Sequence, residues 1–307
     1  MEYICPIDGE VLLSKSESFL TCSNCNSKFR KDGNLISFLK MKDDFYEGAY
    51  LNRVDFLAKK NSLLEKIGLW TINSGYLLEV KNNFKFGDNL LELGCAGGVS
   101  YFGREFKMIG CDLSLSSLEQ TKSIYHSCIQ ASPLEKLPLP NNCLDGVISS
   151  FFWEHLNSEE KKLCLKEIYR VLKPGGKIVF LYDIETSNPM IKFFQNKNLQ
   201  LYKDLFLDCD GHIGYASISE NLSLMENNKF SILKNTGLQK TFIQEPSVYL
   251  KFEKWGIYKV IFSMLRILTS SLLLKPFLFF VRIIDVLFNF LPDPWSRITL
   301  TTAKVEK

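Results

Sequence analysis

The segment LLELGCAGG, residues 90–98, constrains the fold more than any other stretch of this chain. Its apolar residues run into a glycine-rich turn, and residues 99–106 then have the pattern of a short helix. Glycines suit a strand-to-helix turn that is tight and that a bulky ligand approaches closely. Such a turn is compatible with a cofactor site and also with a plain connection between a strand and a helix.

A second predicted strand, residues 108–112, ends at Asp112, which follows Gly94 by 18 residues. A carboxylate only accepts hydrogen bonds, so an acid at this strand end can hold both hydroxyls of a ribose. The remaining patterns are strands at 143–150, 177–183, 238–244 and 298–305, and a helix from a Ser158 cap to Leu172. This alternation predicts an α/β fold with a mostly parallel sheet and helices on both faces.

Four motifs occur in order: LLELGCAGG, IGCDLS, LPLPNNCLDGVISSFFWEHL and LKPGG. Together they resemble the class I S-adenosylmethionine (SAM)-dependent methyltransferases, in the branch that includes the quinone-biosynthesis enzymes. The resemblance covers residues 45–185 well and 205–245 weakly. It implies a Rossmann-like seven-stranded sheet and SAM as cofactor.

The resemblance also assigns roles to matching positions. Glu92 would orient the methionine end of the cofactor, and Asp112 would hold the ribose with Leu113 against the adenine. The turn beneath the cofactor would be formed by Gly94, Cys95, Ala96 and Gly98. Ser150 and Phe151, at the end of the fourth strand, would lie beside the transferred methyl group.

Two positions depart from the family pattern. Ala96 replaces the middle glycine of the usual turn, and its methyl group is tolerable if φ stays negative. The family often has an aspartate for the adenine amino group where this chain reads Gln130-Ala131-Ser132-Pro133. We expect Ser132 or a backbone carbonyl to take its place.

Residues 1–39 are rich in cysteines and turns, and they resemble the zinc ribbon that precedes many methyltransferases. Cys22 and Cys25 form a proper zinc knuckle, whereas the partner knuckle pairs Cys5 with Asp8. A carboxylate oxygen can ligate zinc, so one structural zinc ion is predicted on these four residues. The alternative is a metal-free ribbon that depends on docking to the catalytic domain, because a unit this small has little core of its own.

The predicted organisation has four parts: a ribbon at 1–39, a helical lead-in at 40–86, a methyltransferase domain at 87–254 plus 296–307, and an apolar insertion at 255–295. The insertion has narrow polar stripes at helical spacing, formed by Lys259, Ser263, Arg266 and Ser270 and by Arg282, Asp285 and Asn289. Two amphipathic helices with wide apolar faces follow from this pattern. They should project from the substrate-binding edge, either as a membrane-interface element over residues 255–291 or as a packed cap.

An oxygen nucleophile needs a base, commonly a histidine or a carboxylate. His155 follows the fourth strand, His212 lies in the cap between strands five and six, and Asp183 ends the fifth strand. These three residues are the candidate catalytic bases. A structural role is the alternative for His155, because the family repeats Glu154-His155 at a helix start. His126 is expected at the surface.

The leading hypothesis is methyl transfer to a hydroxyl of a small or lipid-linked acceptor at the membrane surface. Two alternatives stay open: an RNA methyltransferase that recognises its substrate through the ribbon, and a SAM-binding module without catalytic activity. The formal net charge of +3 neither requires nor excludes a nucleic-acid partner. Nucleic acid is the weaker expectation, because the basic ribbon residues are few and not interleaved with stacking aromatics: Lys15, Lys28, Arg30 and Lys31.

The first residues, MEYICPIDGE, show neither a basic start nor an apolar run. We therefore expect a cytoplasmic protein, peripheral on the inner face of the membrane, with its nine cysteines reduced. The oligomeric state has no signal in the sequence.

Overall fold

The computed structural model of this chain describes residues 2–14, 16–39, 47, 51, 53–270 and 272–307. Lys15, and most of the first part of the predicted helical lead-in, lie outside the described residues.

One mixed sheet organises the described part of the chain, in the strand order β1-β2-β3-β4-β7-β6-β5-β8-β9-β11-β10. The strands are β1 Leu12–Leu13, β2 Phe19–Cys22, β3 Lys28–Asp32, β4 Leu35–Ser37, β5 Asn89–Leu93, β6 Lys107–Asp112, β7 Ser127–Gln130, β8 Leu144–Ser150, β9 Leu172–Asp183, β10 Phe230–Leu238 and β11 Ile298–Val305. Strands β7, β6, β5, β8 and β9 are parallel, and β11 is antiparallel to both β9 and β10. The predicted seven-stranded sheet, β5 to β11, is confirmed.

Helices cover both faces of this sheet, as the alternating pattern predicted. They are α1 Leu63–Thr71, α2 Tyr76–Asn83, α3 Ser100–Glu105, α4 Leu115–Thr121, α5 Ser158–Val171, α6 Pro189–Lys197, α7 Leu199–Lys203, α8 Ile218–Asn227, α9 Pro246–Phe252, α10 Lys259–Met264 and α11 Leu274–Leu287. Leu91 and Leu93 belong to one buried cluster and Leu90 to another, so β5 is buried on both sides. The predicted cap of α5 was one residue late: Asn157, not Ser158, accepts from the N–H groups of Glu159 and Glu160.

The N-terminal ribbon is part of the main sheet. Its last strand, β4, pairs in parallel with β7, where Leu35 is opposite Cys128 and Ser37 is opposite Gln130. Leu35 is buried in the same apolar cluster as Cys128. The ribbon is therefore docked on the main α/β domain through backbone hydrogen bonds as well as apolar packing.

The lead-in contains less helix than predicted in its described residues. Residues 53–62 have no helix, and α1 begins at Leu63 with Ser62 as its N-cap. Between α1 and α2 the chain turns sharply through Asn73, Ser74 and Gly75, which all have positive φ. This turn places Asn73 beside the cavity described below.

The last parallel strand lies earlier in the chain than predicted. The sequence pattern placed a strand at 238–244, whereas β10 ends at Leu238. Gln239 has a φ of 56° and turns away from the sheet, and its N–H donates to Asp285 Oδ1 at 2.7 Å. The Gln244 side chain then donates to Gln239 O, which closes the turn. These side-chain contacts replace the strand pairing that the apolar pattern predicted.

The second half of the insertion between β10 and β11, helix α11, packs with its charged residues inward, whereas Arg266 in the first half is exposed. Asp285 is buried against Gln239, and Arg282 lies with its guanidinium 5.7 Å from the Trp70 ring centre. Val281, on the same side of α11, is only 2% exposed. The opposite side presents apolar residues to the surface: Val286, Leu287 and Phe290.

The same exposure continues along the first half of the insertion. Its outward apolar residues are Val260, Ile261, Met264, Ile267 and Leu272, and Leu272 is 79% exposed. No single described helix is both long and apolar enough to cross a membrane. By length and composition alone, Lys259–Thr269 and Leu274–Leu287 satisfy that criterion as a pair bent by 107°.

Candidate functional site

A cavity of about 510 Å³ opens at the carboxyl ends of β5, β6 and β8. This is the edge of an open parallel sheet where ligands generally bind, and the volume is in the range of cofactor sites. Ten of the cofactor residues predicted from the sequence line it: Glu92, Gly94, Cys95, Ala96, Gly98, Asp112, Leu113, Ser132, Ser150 and Phe151.

The turn after β5 has the tight geometry that its glycines suggest. Gly94 and Gly98 have φ values of 61° and 76°, and a Cβ on Gly94 would lie 2.9 Å from the Phe152 side chain. Ala96 also has a positive φ, 45°, so the condition of a negative φ, under which its methyl group was expected to be tolerated, is not met. The left-handed conformation is held because the Ala96 N–H donates to Asp112 and its carbonyl accepts from Thr121 Oγ1.

Asp112 is fixed by main-chain donors on two sides. Its Oδ2 accepts from Ala96 N and its Oδ1 from Ser114 N, both at 2.9 Å. Burial nevertheless raises the pKa of this carboxyl above its ordinary value, against the lowering effect of those donors. A ligand that brings hydroxyl donors would therefore meet an oriented and poorly hydrated acceptor.

Glu92 is a buried acid at the opposite side of the same turn. Burial raises its pKa to about 8, against the effect of the hydrogen bond that it accepts from the Tyr125 hydroxyl. Tyr125 also accepts from Val99 N at 3.0 Å and so ties Glu92 to the start of α3. Burial therefore favours the neutral carboxyl near pH 7, and a cationic ligand would favour its ionisation.

The end of the cavity predicted to hold the adenine lacks the aspartate that the family often has, as the sequence indicated. Leu113, Ser132 and Pro133 line the cavity there. Gln130 points elsewhere: its amide donates to Leu113 O at 2.9 Å and its carbonyl accepts from Ser37 of the ribbon. Gln130 thus links the ribbon strand to the residue predicted to pack on the adenine.

The other end of the cavity follows β8. Ser150, Phe151 and His155 line it, and Phe151 has a φ of 55° with its N–H donating to Leu181 O. This positive φ turns the chain sharply where the sheet ends. The turn directs the following residues, including the Trp153–His155 3-10 turn, across the end of the cavity.

The three candidate bases are close to one another but differ in surroundings. The imidazole rings of His155 and His212 are 5.1 Å apart, and burial lowers the pKa of both. His155 lines the cavity, as does Ile213 next to His212. Asp183 is buried and forms an ion pair of 2.6 Å with Arg297. Its carboxylate is thus already engaged by a cation.

Several residues at the site had no readable signal in the sequence. Tyr125 resembles any apolar residue on a helix-like pattern, yet it holds Glu92. Asn73 lines the cavity because of a backbone turn with positive φ, which no local sequence pattern predicts. Glu154 occurs in the FFWEHL string as an ordinary charged residue, but the structure buries it completely. His126 is exposed, as predicted.

The predicted zinc ligands converge in the ribbon. The donor atoms of Cys5, Asp8, Cys22 and Cys25 all lie within 4.8 Å of one another. Cys5 Sγ and Cys25 Sγ are 3.6 Å apart, and Asp8 Oδ2 is 3.3 Å from Cys22 Sγ. A tetrahedral ion with Zn–S bonds of about 2.3 Å separates its sulfur ligands by about 3.8 Å, so this donor set fits zinc.

Comparison with known proteins agrees with this architecture. Residues 91–180 match the family described as "Methyltransferase domain". Demethylmenaquinone methyltransferase of Symbiobacterium thermophilum is 33% identical over 128 residues, which are 38% of this chain and 49% of that protein. The ubiquinone/menaquinone biosynthesis C-methyltransferase UbiE of Francisella tularensis subsp. novicida is 34% identical over 125 residues, 36% of this chain and 48% of that protein. The chain spans about half the length of these curated relatives.

A solved structure shows the same fold. Geranyl diphosphate C-methyltransferase from Streptomyces coelicolor, in complex with S-adenosyl-L-homocysteine, superposes with a TM-score of 0.50 at 14% identity. The match covers 83% of this chain and 86% of that structure. Residues 91–180 therefore match a methyltransferase domain, and the chain shares the class I methyltransferase fold.

Proposed function

Starting from a methyltransferase domain of the class I fold, we propose that this chain transfers the methyl group of SAM to a hydroxyl of a lipid-linked or small apolar acceptor at a membrane surface. The cofactor part rests on one observation above all. Asp112, oriented by the N–H groups of Ala96 and Ser114, stands at the wall of a cavity of suitable size. A ribose diol is the ligand that such an acceptor suits.

The residues assigned to the cofactor divide the cavity into three parts. Glu92 is placed for the charged methionine end, Leu113 and Ser132 for the adenine, and Ser150 with Phe151 for the sulfonium. Bound SAM supplies an electrophilic methyl group. The protein's contribution is to align the acceptor with that methyl group and to exclude water.

The membrane part rests on the orientation of α11. In most surface helices the charged face meets water, but here Arg282 and Asp285 face the domain and the apolar face is outward. A large exposed apolar patch generally marks an interaction surface. A lipid surface is the occupant we propose, because the outward residues come from both arms of the bent helix pair and the curated relatives are named for quinone biosynthesis.

The acceptor proton requires a base near the methyl end. His155 lines the cavity, and His212 is its immediate neighbour, so the imidazole pair is the proposed group. The ion pair with Arg297 gives Asp183 a positioning role in this proposal rather than a proton-accepting one. Carbon methylation is the second candidate, since the name of the Francisella relative specifies it.

The ribbon completes the proposal with a structural zinc ion on Cys5, Asp8, Cys22 and Cys25. Four protein ligands leave no open position for substrate, so the metal would only stabilise the fold. The pairing of β4 with β7 couples that stability to the catalytic domain.

Liposome co-sedimentation tests the membrane part. The full chain is compared with a variant that replaces four outward residues of the insertion, Met264→Ser, Ile267→Ser, Leu272→Ser and Phe290→Ser. The matched control replaces exposed apolar residues outside the insertion: Leu57→Ser, Leu63→Ser and Phe86→Ser. All three proteins must first bind SAM. Substitutions are preferable to deletion, because Asp285 and the carbonyls of Asn289 and Leu291 hold the domain.

With vesicles of phosphatidylethanolamine and phosphatidylglycerol, we expect the full chain and the control to pellet and the insertion variant to stay in solution. If none of the three pellets, the insertion is a packed cap. Soluble metabolites or RNA then become the preferred acceptors, and a steep salt dependence of binding would identify RNA.

The acceptor atom is tested separately with SAM carrying a labelled methyl group. After incubation with a membrane lipid extract, label in the organic phase shows transfer to a lipid. Hydriodic acid releases the label from a methyl ether but leaves a methyl group on carbon. We expect release, and retention of the label would instead support carbon methylation.

A further inference from the structure

A second cluster of metal-binding side chains lies at the methyl end of the cavity, distinct from the ribbon. The donor atoms of Glu154, His155 and His212 all lie within 4.8 Å of one another. Glu154 and His155 belong to the 3-10 turn after β8. His212 comes from the segment between β9 and β10, just after the π turn Asp204–Asp208. The fold brings these residues together from distant parts of the chain.

The two imidazoles are oriented by backbone carbonyls. His155 Nδ1 is 3.1 Å from Gly211 O, and His212 Nδ1 is 3.1 Å from Phe206 O. A carbonyl oxygen only accepts, so each Nδ1 carries a hydrogen and donates it. The lone pair of each neutral ring is then on Nε2, which is the usual arrangement of metal-binding histidines.

Glu154 is a buried acid without a direct counter-ion among the described residues. Its Oε1 accepts from Asp183 N at 3.4 Å, while its Oε2 is buried and has no hydrogen-bond partner in the described structure. The nearby cations are engaged elsewhere: Arg297 pairs with Asp183, and Lys161 donates to Gly214 O and Asn221 Oδ1. A carboxyl group in this position is costly unless a proton or another cation compensates it.

We propose that Glu154, His155 and His212 bind a divalent first-row transition cation. Two imidazoles and one carboxylate form a set that zinc and iron commonly take in sites with open positions. Nitrogen ligands of a tetrahedral ion are about 3.4 Å apart, so small side-chain movements suffice to close the cluster. Because His155 lines the cavity, the remaining coordination positions are on the side where the acceptor would bind.

The role of the ion rests on the proposed transfer to a hydroxyl. The cation takes the acceptor oxygen as a ligand and acts as a Lewis acid on it. The hydroxyl proton passes to bulk water when the oxygen binds the cation, before the acceptor is aligned with the methyl group and water is excluded. The oxygen then forms a bond to the methyl carbon, and the carbon–sulfur bond breaks to release S-adenosylhomocysteine. When the cation is bound, His155 and His212 are its ligands. The cation, and not the imidazole pair, then activates the acceptor hydroxyl.

Cobalt(II) titration of the full chain separates the two metal sites. The protein is stripped with a chelator, shown still to bind SAM, and titrated while the absorbance spectrum is recorded. The ribbon should give thiolate-to-cobalt charge-transfer bands in the near ultraviolet, whereas the proposed site has no sulfur and should give only weak visible bands. If stripping abolishes SAM binding, cobalt is counted instead in protein produced with Co²⁺ in the growth medium.

We expect two equivalents of cobalt in the unmodified chain. His212→Asn keeps an amide donor for Phe206 O but removes Nε2, and Glu154→Gln removes the carboxylate. Each should lose one equivalent, or weaken the second site at least tenfold, with the thiolate bands unchanged. His126→Asn, on the exposed histidine, should behave like the unmodified chain.

Equal cobalt stoichiometry and equal visible bands in all four proteins would overturn the proposal and leave the cluster as a hydrogen-bonded group. The measurement needs no acceptor. The cobalt titration can therefore support the second metal site even if the lipid methylation assay fails. The methylation assay can likewise succeed even if the titration finds no second site.

Discussion

The predicted cofactor site and the apolar insertion arrange their polar residues in opposite ways. On the cofactor side, the acids Glu92 and Asp112 are buried at the sheet edge and held by Tyr125 and by main-chain N–H groups. In the insertion, the charged residues of α11 anchor the helix to the domain and leave its apolar face outward. The predicted cofactor site is thus lined by oriented polar groups, whereas the insertion exposes an apolar surface.

Substitution of Asp112 is the strongest test of the predicted cofactor site. Asp112→Ala removes the acceptor for the ribose and also a support of the turn at Ala96. We expect SAM binding to weaken by about 10²- to 10⁴-fold, from the loss of two charge-assisted hydrogen bonds of about 1.5–3 kcal/mol each. Isothermal titration calorimetry measures the effect, with exposed Asp208→Ala as the control. Unchanged affinity in Asp112→Ala would contradict the ribose assignment.

The pH dependence of SAM binding tests the second acid. Burial raises the pKa of Glu92 to about 8, from 4.5 for an unburied glutamate. A cationic methionine end should favour the ionised form, so affinity should rise from pH 6 to pH 8, by up to about tenfold per unit, with proton release on binding. Calorimetry in buffers of different ionisation enthalpy measures that release.

Glu92→Gln is the control for this titration, because the amine of SAM titrates in both proteins. The variant should show a flatter pH profile and no release from this site. Since the raised pKa destabilises the folded state as pH rises from the unfolded value towards about 8, the variant should also unfold at higher temperature than the parent at pH 8. Identical pH profiles would show that Glu92 stays neutral in the complex.

A pair of valines on α11 gives the smallest and most local test. Val281 is 2% exposed on the inward side, and Val286 is 55% exposed on the outward side. We expect Val281→Ser to lower the free energy of unfolding by about 2–3 kcal/mol and Val286→Ser by less than about 0.5 kcal/mol. Urea denaturation measures both. Equal losses would mean that the outward face is also packed.

The same contrast explains what the sequence could predict. Strand β5, the turn at Gly94 and the acid at Asp112 obey local rules: an apolar run, a glycine requirement and a fixed spacing from strand to strand. The positive φ of Ala96 could not be predicted, because it depends on two partners from elsewhere in the fold: the Ala96 N–H donates to Asp112, and the Ala96 carbonyl accepts from Thr121.

In the insertion the periodicity could be read from the sequence, but the orientation of the helices could not. The spacing of Arg282 and Asp285 shows a polar stripe without saying whether water or Gln239 will meet it. For the same reason β10 was misplaced, because a tertiary contact to Gln239 ends the strand where the apolar pattern continues. Tyr125 and Glu154 could not be predicted for the same reason, because their surroundings form only when the sheet assembles. There Tyr125 gains Glu92 as a hydrogen-bond partner, whereas Glu154 Oε2 is buried without one.

The pairing of β4 with β7 has a consequence for the solubility of the protein. Without Leu35–Ser37, β7 would be the outermost parallel strand, with unpaired N–H and C=O groups open to another chain. The ribbon therefore covers an edge strand of the sheet that could otherwise pair with another chain. Oxidation of Cys25, the exposed thiol of the cysteine cluster, would destabilise the ribbon and could expose this edge strand. Damage to the smallest module of the protein would then appear first as self-association rather than as lost catalysis.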